Sequence, residues 1–579
     1  MPMARGRRYA GLALALCASL SATGALAQTA PSAVGGPTPN LVGNIERPIR
    51  YHPQDGDFVI ENGTETFNRP LYGGDTAFRV DGGDKPEFVL YLPGRGGNLR
   101  LGVAGPSGAR WLHDAQRIVT RYRPGELIYE IHDPLLGQGV LRVEALAYAV
   151  TEGLTLRIEG TDLPPGLELV WAFGGITGQR GVRDGDIGTE KVPISEWFQF
   201  KPTFAEANRV LVGAEGFQVS APQAVIVGSA SGAARFSRGD ATAWDDLGRL
   251  LKSSAPDQGG VAIGRARLTS NAPLVVSLQR VDPNVAGDLA DYTAVRAGRP
   301  DSPVAPVIRP PAFARTELAV RFEEARSHFQ ALRAQVRIDT PDPYINAAMA
   351  ALNVGAEATW DGPQQAVMHG AVAWRTKLLG WRGPYWLDAL GRADRADRHF
   401  RDWAKGQNVS PFPAVVPPPD EDANLARAET ALHSNGDLSN SHYDMNTVYI
   451  DALFRHLDWT GDLKLARDLW PTIQRHLAWE RRLFRREYGP DKLALYEAYA
   501  AIWASDHLSY NGGGAAHASA YQAYHNRMAA KLAPLIGEDP TPYGQEADAI
   551  LKGMRALLWM PDEGAFGEYR DLLGEQRLH

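Results

Sequence analysis

At about Arg315 the chain changes its period. From Tyr51 up to that point apolar and polar residues alternate in short runs: EFVLYL (Glu87–Leu92), LIYEIHD (Leu127–Asp133), LRVEALAYAV (Leu141–Val150), LTLRIEG (Leu154–Gly160), LELVWAF (Leu167–Phe173) and PLVVSLQRV (Pro273–Val281). Period two, broken by Gly, Pro, Asp or Asn roughly every ten residues, marks strands joined by tight turns. So many of them predict a large antiparallel β-sandwich. Beyond Arg315 the apolar positions recur three and four apart, which is the spacing of helices with one buried face. Prolines at 303, 306, 310 and 311 mark the boundary.

The helical half has one legible hairpin. In DMNTVYIDALFRHLDW, apolar residues fall at Met445, Val448, Tyr449, Ala452, Leu453 and Leu457; after Thr460-Gly461-Asp462 a second stripe runs Leu465, Leu469, Ile473, Leu477. So short a connector makes the pair antiparallel, and Pro471 is expected to kink the second helix. Helices are also expected over 315–335, from Ile345, and over about 515–535 and 543–558, with the rest of this half helical apart from the loop Pro411–Ala423. The predicted organisation is a signal peptide (1–27), a linker (28–50), a β-sandwich domain (51–312), a linker helix with an extended lead-in (313–339) and a helical domain (340–579).

Composition narrows the functional classes. With 44% hydrophobic and 22% charged residues, this is an ordinary globular chain. Arg5, Arg7 and Arg8 precede an apolar run that closes on Ala25-Leu26-Ala27, the form of a cleaved export signal. That run is too short for a membrane span. Removing residues 1–27, with the three arginines, takes the formal charge from −7 to −10. An acidic chain without basic runs is not built for nucleic acid. The one cysteine, Cys17, lies within the signal, so the mature chain is expected to have no disulfide, thiol nucleophile or cysteine metal site. His433 and His442 lack a metal-ligand spacing, and no metal or cofactor is expected. The acids of GGDTAFRVDGGD (Gly73–Asp84) do not fit a calcium loop and read as hairpin turns. Oligomeric state is left open.

Chemistry concentrates in His369–Trp403. Trp374, Trp381 and Trp386 alternate with Arg375 and Arg382, followed by Tyr385 and Asp388. Aromatic faces stack on apolar ring faces while guanidinium forks and carboxylates bind hydroxyls, so the mixture suits a sugar. GRADRADRHFRD (Gly391–Asp402) is a solvated helix face with intrahelical ion pairs. A second candidate is HSNGDLSNSHYDMN, where His433, Asn435, Tyr443 and Asp444 hold a loop and start a helix. Hydroxyl binding there competes with simple helix capping.

The order of sandwich, linker helix and successive helical hairpins resembles the six-hairpin glycosidase superfamily. Thr340-Pro341-Asp342 with Asn346 and Ala347, the Trp381–Asp388 loop and WTGDLKLARDLWPTI (Trp459–Ile473) carry the resemblance. The front part, Phe67–Gly102, is similar to a poorly characterised domain of secreted bacterial proteins. The superfamily implies an (α/α)6 toroid. From Pro341 to His579 there is room for fewer hairpins than six, so the toroid is expected to be incomplete: either the barrel is abbreviated or the chain is a fragment, the fragment being favoured. The resemblance implies a glycoside hydrolase working by inversion with a carboxyl general acid. Asp506, between Trp503 and His507, is the first candidate for that acid and Glu497 the second; Glu563 and Glu568 are weaker candidates for the base, which in relatives comes from a late hairpin. A rhamnosidase-like or uronidase-like activity rests on family analogy alone. The competing readings are a disaccharide phosphorylase, a polysaccharide lyase and a carbohydrate-binding or degenerate barrel without catalysis.

Overall fold

The computed structural model describes residues 49–92, 94–179, 192–281, 310–368, 370, 377, 379, 384–411, 435–438, 443–497, 513–571 and 573–577. Residues 51–579 form one compact unit. No helix among the described residues is long and apolar enough to cross a membrane.

The alternating segments become two antiparallel sheets, one ten-stranded and one eight-stranded. Their order is not sequential. Strand Leu274–Arg280 lies between Gly153–Thr161 and Ala224–Ala230, with Leu278 opposite both Leu154 and Gly228. In the second sheet Arg95–Gly105 runs beside Glu168–Ile176, from Gly96 opposite Ile176 to Ala104 opposite Glu168. Period two sorts the side chains of that strand. Leu169, Trp171 and Phe173 enter the core shared by the two sheets, while Val170 and Ala172 belong to an outer cluster. The outer face is covered by one-turn helices: Trp197, at the end of α1 (Ile194–Trp197), packs near Phe67 and Val89, and α2 (Leu247–Leu250) sits with Trp111 and Trp244.

Helix α3 (Leu318–Arg333) joins the two halves. Its apolar face, Leu318, Phe322, Ala325, Phe329 and Leu332, packs with Leu146 and Val275 of the ten-stranded sheet and Val354 of α4 (Pro343–Glu357). At Gly125 the chain turns with φ +82°, and a Cβ there would lie 2.4 Å from the Phe329 ring. Beside it the buried Glu126 faces Arg123, Arg326 and Arg333 at 3.6, 3.9 and 4.0 Å. Burial raises its pKa despite those guanidiniums.

The TPD lead-in is a structural device. Asp342 caps α4 by accepting from the Tyr344 N–H at 2.8 Å, and the Asn346 amide bonds both the N–H and the carbonyl of Thr340, at 3.0 and 2.9 Å. Then follow α5 (Tyr385–Ala389), α6 (Ala393–Ala404), α7 (Tyr443–Thr460), α8 (Leu463–Leu483), α9 (Ala516–Ile536) and α10 (Thr541–Leu557). Helix α6 buries Ala396, Phe400 and Trp403 and carries the expected pairs Arg398–Asp394 and Arg401–Asp397 on its outer side, at 3.1 and 2.7 Å. Every residue of the two stripes read from the α7–α8 hairpin is buried, and α8 runs on through Pro471. Gly461 has φ +67° and Asp462 caps α8 at the turn.

One expectation is corrected. This half is not helical throughout, because short antiparallel pairs interrupt it: Trp360–Asp361 with Ala366–Val367, Arg485–Tyr488 with Leu493–Tyr496, and several between Gly514 and Arg577. Runs of two to four residues give too little alternation to read. The loop Gly73–Asp84 supplies the expected turns and also touches the helical half, where the Gly362 N–H donates to the Asp75 carbonyl at 2.7 Å.

Candidate functional site

Of the first cluster the described residues include Tyr385, Trp386 and Asp388; Trp374, Arg375, Trp381 and Arg382 lie outside them. Both polar side chains turn towards α7. The Tyr385 hydroxyl donates to Asp451 Oδ2 at 3.0 Å and lies 3.3 Å from the Val448 carbonyl, and Arg455 Nε donates to the same carboxylate oxygen at 2.8 Å. Burial, then the Asp451 charge, pushes the Tyr385 hydroxyl well above its ordinary value. Asp388 Oδ1 stands 2.8 Å from His456 Nδ1, and that imidazole packs on Phe400. Much of the hydrogen-bonding capacity of these two residues is thus directed at a neighbouring helix.

In the second cluster His433 lies outside the described residues, and Tyr443 and Asp444 open α7. Asn435 precedes Gly436, which only glycine fits: φ is +122° and a Cβ would stand 2.3 Å from Trp479 Cβ. The turn is held by Gln407, whose Nε2 bonds the Gly436 and Thr472 carbonyls, and by Asp437, which accepts from Asn446 Nδ2 at 3.0 Å. Asn435 Oδ1 is buried without a hydrogen bond.

Asp506 and Trp503 lie outside the described residues; Glu497 lies within them. It follows the strand Leu493–Tyr496, its N–H donating to the Phe484 carbonyl at 2.8 Å, and its side chain is 1% exposed. Arg486 forms an ion pair with it. The nearby Tyr488 hydroxyl is pushed up to about 12, by burial first and the Glu497 charge second. Tyr496, just before it, is fixed by Ser519 of α9, whose Oγ accepts its N–H at 2.9 Å, and by Glu546 of α10, which accepts its hydroxyl proton at 2.8 Å. Arg485 donates to Glu546 at 2.8 Å, and Arg481 also pairs with it. Glu563 and Glu568 lie near short strand pairs towards the end of the described region.

Sequence reasoning missed a polar group at the α8–α9 contact: His476 and Glu480 on α8, Gln522 and His525 on α9, all 0% exposed. Polar residues interrupting an apolar stripe at helical spacing are the signal that could have found it. Among the described residues no three His, Cys, Asp or Glu side chains are placed to hold a metal ion.

Residues 92–295 match a family described as a domain of unknown function, DUF4450. No curated protein matches the chain. Among solved structures, a bacterial glucoamylase complexed with acarbose aligns at 11% identity over 89% of this chain and 72% of its own, with a TM-score of 0.48. A family GH92 glycosyl hydrolase aligns at 13% identity over 89% of this chain and 66% of its own, at 0.34. An inverting GH92 mannosidase from Bacteroides thetaiotaomicron aligns at 10% identity over 91% and 64%, at 0.36. All three neighbours are glycoside hydrolases, and the chain spans less than two thirds of the mannosidase.

Proposed function

We propose that this chain is an exported glycoside hydrolase of the six-hairpin kind, cleaving a glycosidic bond in a plant or microbial polysaccharide or oligosaccharide by inversion. Glu497 carries the reading: a carboxylate closed from solvent, at a strand end, opening the aromatic segment that holds Trp503 and Asp506. The β-then-α order and the TPD lead-in support it. In this reading residues 1–27 are removed after Ala27, residues 28–50 are a linker, 51–312 form the sheet domain, 313–339 connect, and 340–579 belong to an (α/α)6 catalytic domain.

Asp506 is the general acid. Its proton passes to the glycosidic oxygen as the bond to the anomeric carbon breaks, while a second carboxylate takes a proton from the water attacking the opposite face. The two stand about 6.5–9.5 Å apart in inverting enzymes, leaving room for that water. Glu497, paired with Arg486, is the second candidate for the acid. Trp374, Arg375, Trp381, Arg382, His433, Asn435, Tyr443 and Asp444 supply the stacking and hydroxyl contacts.

Chromatography of sugars released from plant and bacterial glycans and aryl glycosides tests this. Asp506→Asn is expected to lower release by roughly 10²–10⁴-fold with circular dichroism unchanged, and the first product is expected with inverted anomeric configuration. Undiminished release by Asp506→Asn shifts the acid to Glu497; no release from any substrate by the wild type sinks the hydrolase reading. The Arg486 pair also supports a second reading, a carbohydrate-binding chain in which Glu497 is structural. Glycan binding without release selects it.

A further inference from the structure

The α8–α9 contact holds more hydrogen-bonding capacity than it spends. His476 Nε2 stands 3.6 Å from Glu480 Oε1, beyond a hydrogen bond, and the His476 and His525 ring centres are 6.3 Å apart. Both nitrogens of each imidazole and both amide atoms of Gln522 are buried without a hydrogen-bond partner. Native interiors leave few such atoms unmatched, and each forfeits its hydration. Six at one contact are poor packing but a ready set of donors and acceptors.

Their chemistry selects the ligand. Burial keeps both imidazoles neutral, His476 down to about 3 and His525 well below its ordinary value. A neutral imidazole offers one donor and one acceptor, and a carboxamide offers both. The cation whose charge reaches His525, Arg455, is already paired with Asp451 at 2.8 Å, and no metal geometry is present among the described residues. A hydroxyl, at once donor and acceptor, fits. Apolar faces stand beside it: Trp479 is 5.7 Å from His476, and Phe454 and Tyr521 are 6.1 and 5.6 Å from His525, ring centre to ring centre.

Position ties the set to the candidate carboxylate. Gln522 lies six residues into α9, about 9 Å from its start. One helical turn before it Ser519 holds Tyr496, the neighbour of Glu497. We propose that His476, Gln522 and His525 are the floor of a sugar subsite near the strand end Tyr496–Glu497, taking hydroxyl groups of a neutral sugar ring. The proposal rests on the glycosidase reading and names the substrate class for it: neutral rather than acidic sugars.

The test uses the full chain carrying ¹⁵N-histidine, with the imidazole resonances assigned through His476→Phe and His525→Phe. Methyl glycosides of glucose, mannose and rhamnose are titrated separately, with glucuronate as the acidic control. At least one neutral glycoside is expected to shift both imidazoles saturably while glucuronate does not, and Gln522→Leu is expected to weaken that binding roughly tenfold. Imidazoles unmoved by every neutral glycoside, or moved equally by glucuronate, overturn the proposal. The wild-type titration decides this even where a variant fails to fold. Because it reads binding alone, absent sugar release with shifted imidazoles overturns only the catalytic reading.

Discussion

A buried histidine that stays neutral must show itself in the pH dependence of stability. Burial lowers His476 from its ordinary 6.5 to about 3, and lowers His525 as well. On acidification the unfolded chain therefore binds protons first. Stability from these imidazoles is complete above about 6.5 and is lost as pH falls from there towards 3. Asp81, Glu87 and Glu126, raised by burial, act in the opposite sense. Comparing wild type with His476→Leu isolates the imidazole: urea midpoints from pH 7 to 4 should fall less steeply in the variant. Gly125 supports a different prediction at this scale. With φ +82° and the Phe329 ring in the way, Gly125→Ala should cost roughly 1–3 kcal/mol of unfolding free energy, measured by urea titration at pH 7.

Elements with a long period were legible in the sequence, and those without one were not. The α7–α8 hairpin was readable because its stripes repeat over several turns and Gly461 and Asp462 punctuate the connection. Asp462 accepts the N–H groups of Lys464 and Leu465, both at 2.9 Å. Asp462→Ala should lower stability by about 1 kcal/mol, checked by thermal unfolding of the full chain. The strand pairs of the helical half stayed hidden because a pair such as Gly514–Ala515 with Tyr569–Arg570 draws its partner from far along the chain. The candidate site divides the same way. Glu497 was singled out from its aromatic neighbours, but its pairing with Arg486 depends on a hairpin the local pattern does not announce. Tyr385 and Asp388 were read as facing a ligand, yet their observed contacts depend on Asp451 and His456, more than sixty residues away. Gln522 and His525 escaped notice because a polar residue on a buried stripe reads as an interruption until its neighbours across the contact are known.

At the scale of the molecule, α3 couples the sheets to the helices through an apolar stripe and the arginines around Glu126. The ten-stranded sheet carries a consequence for synthesis. Its inner strand Leu274–Arg280 follows in sequence both strands that it lies between. While the chain leaves the ribosome, Gly153–Thr161 and Ala224–Ala230 each expose an open hydrogen-bonding edge. At ordinary elongation rates the wait from the first of these to the closing strand is on the order of ten seconds. Open strand edges recruit other chains, so the nascent protein is most prone to aggregate in that interval, and chaperone protection matters most until Arg280 has emerged.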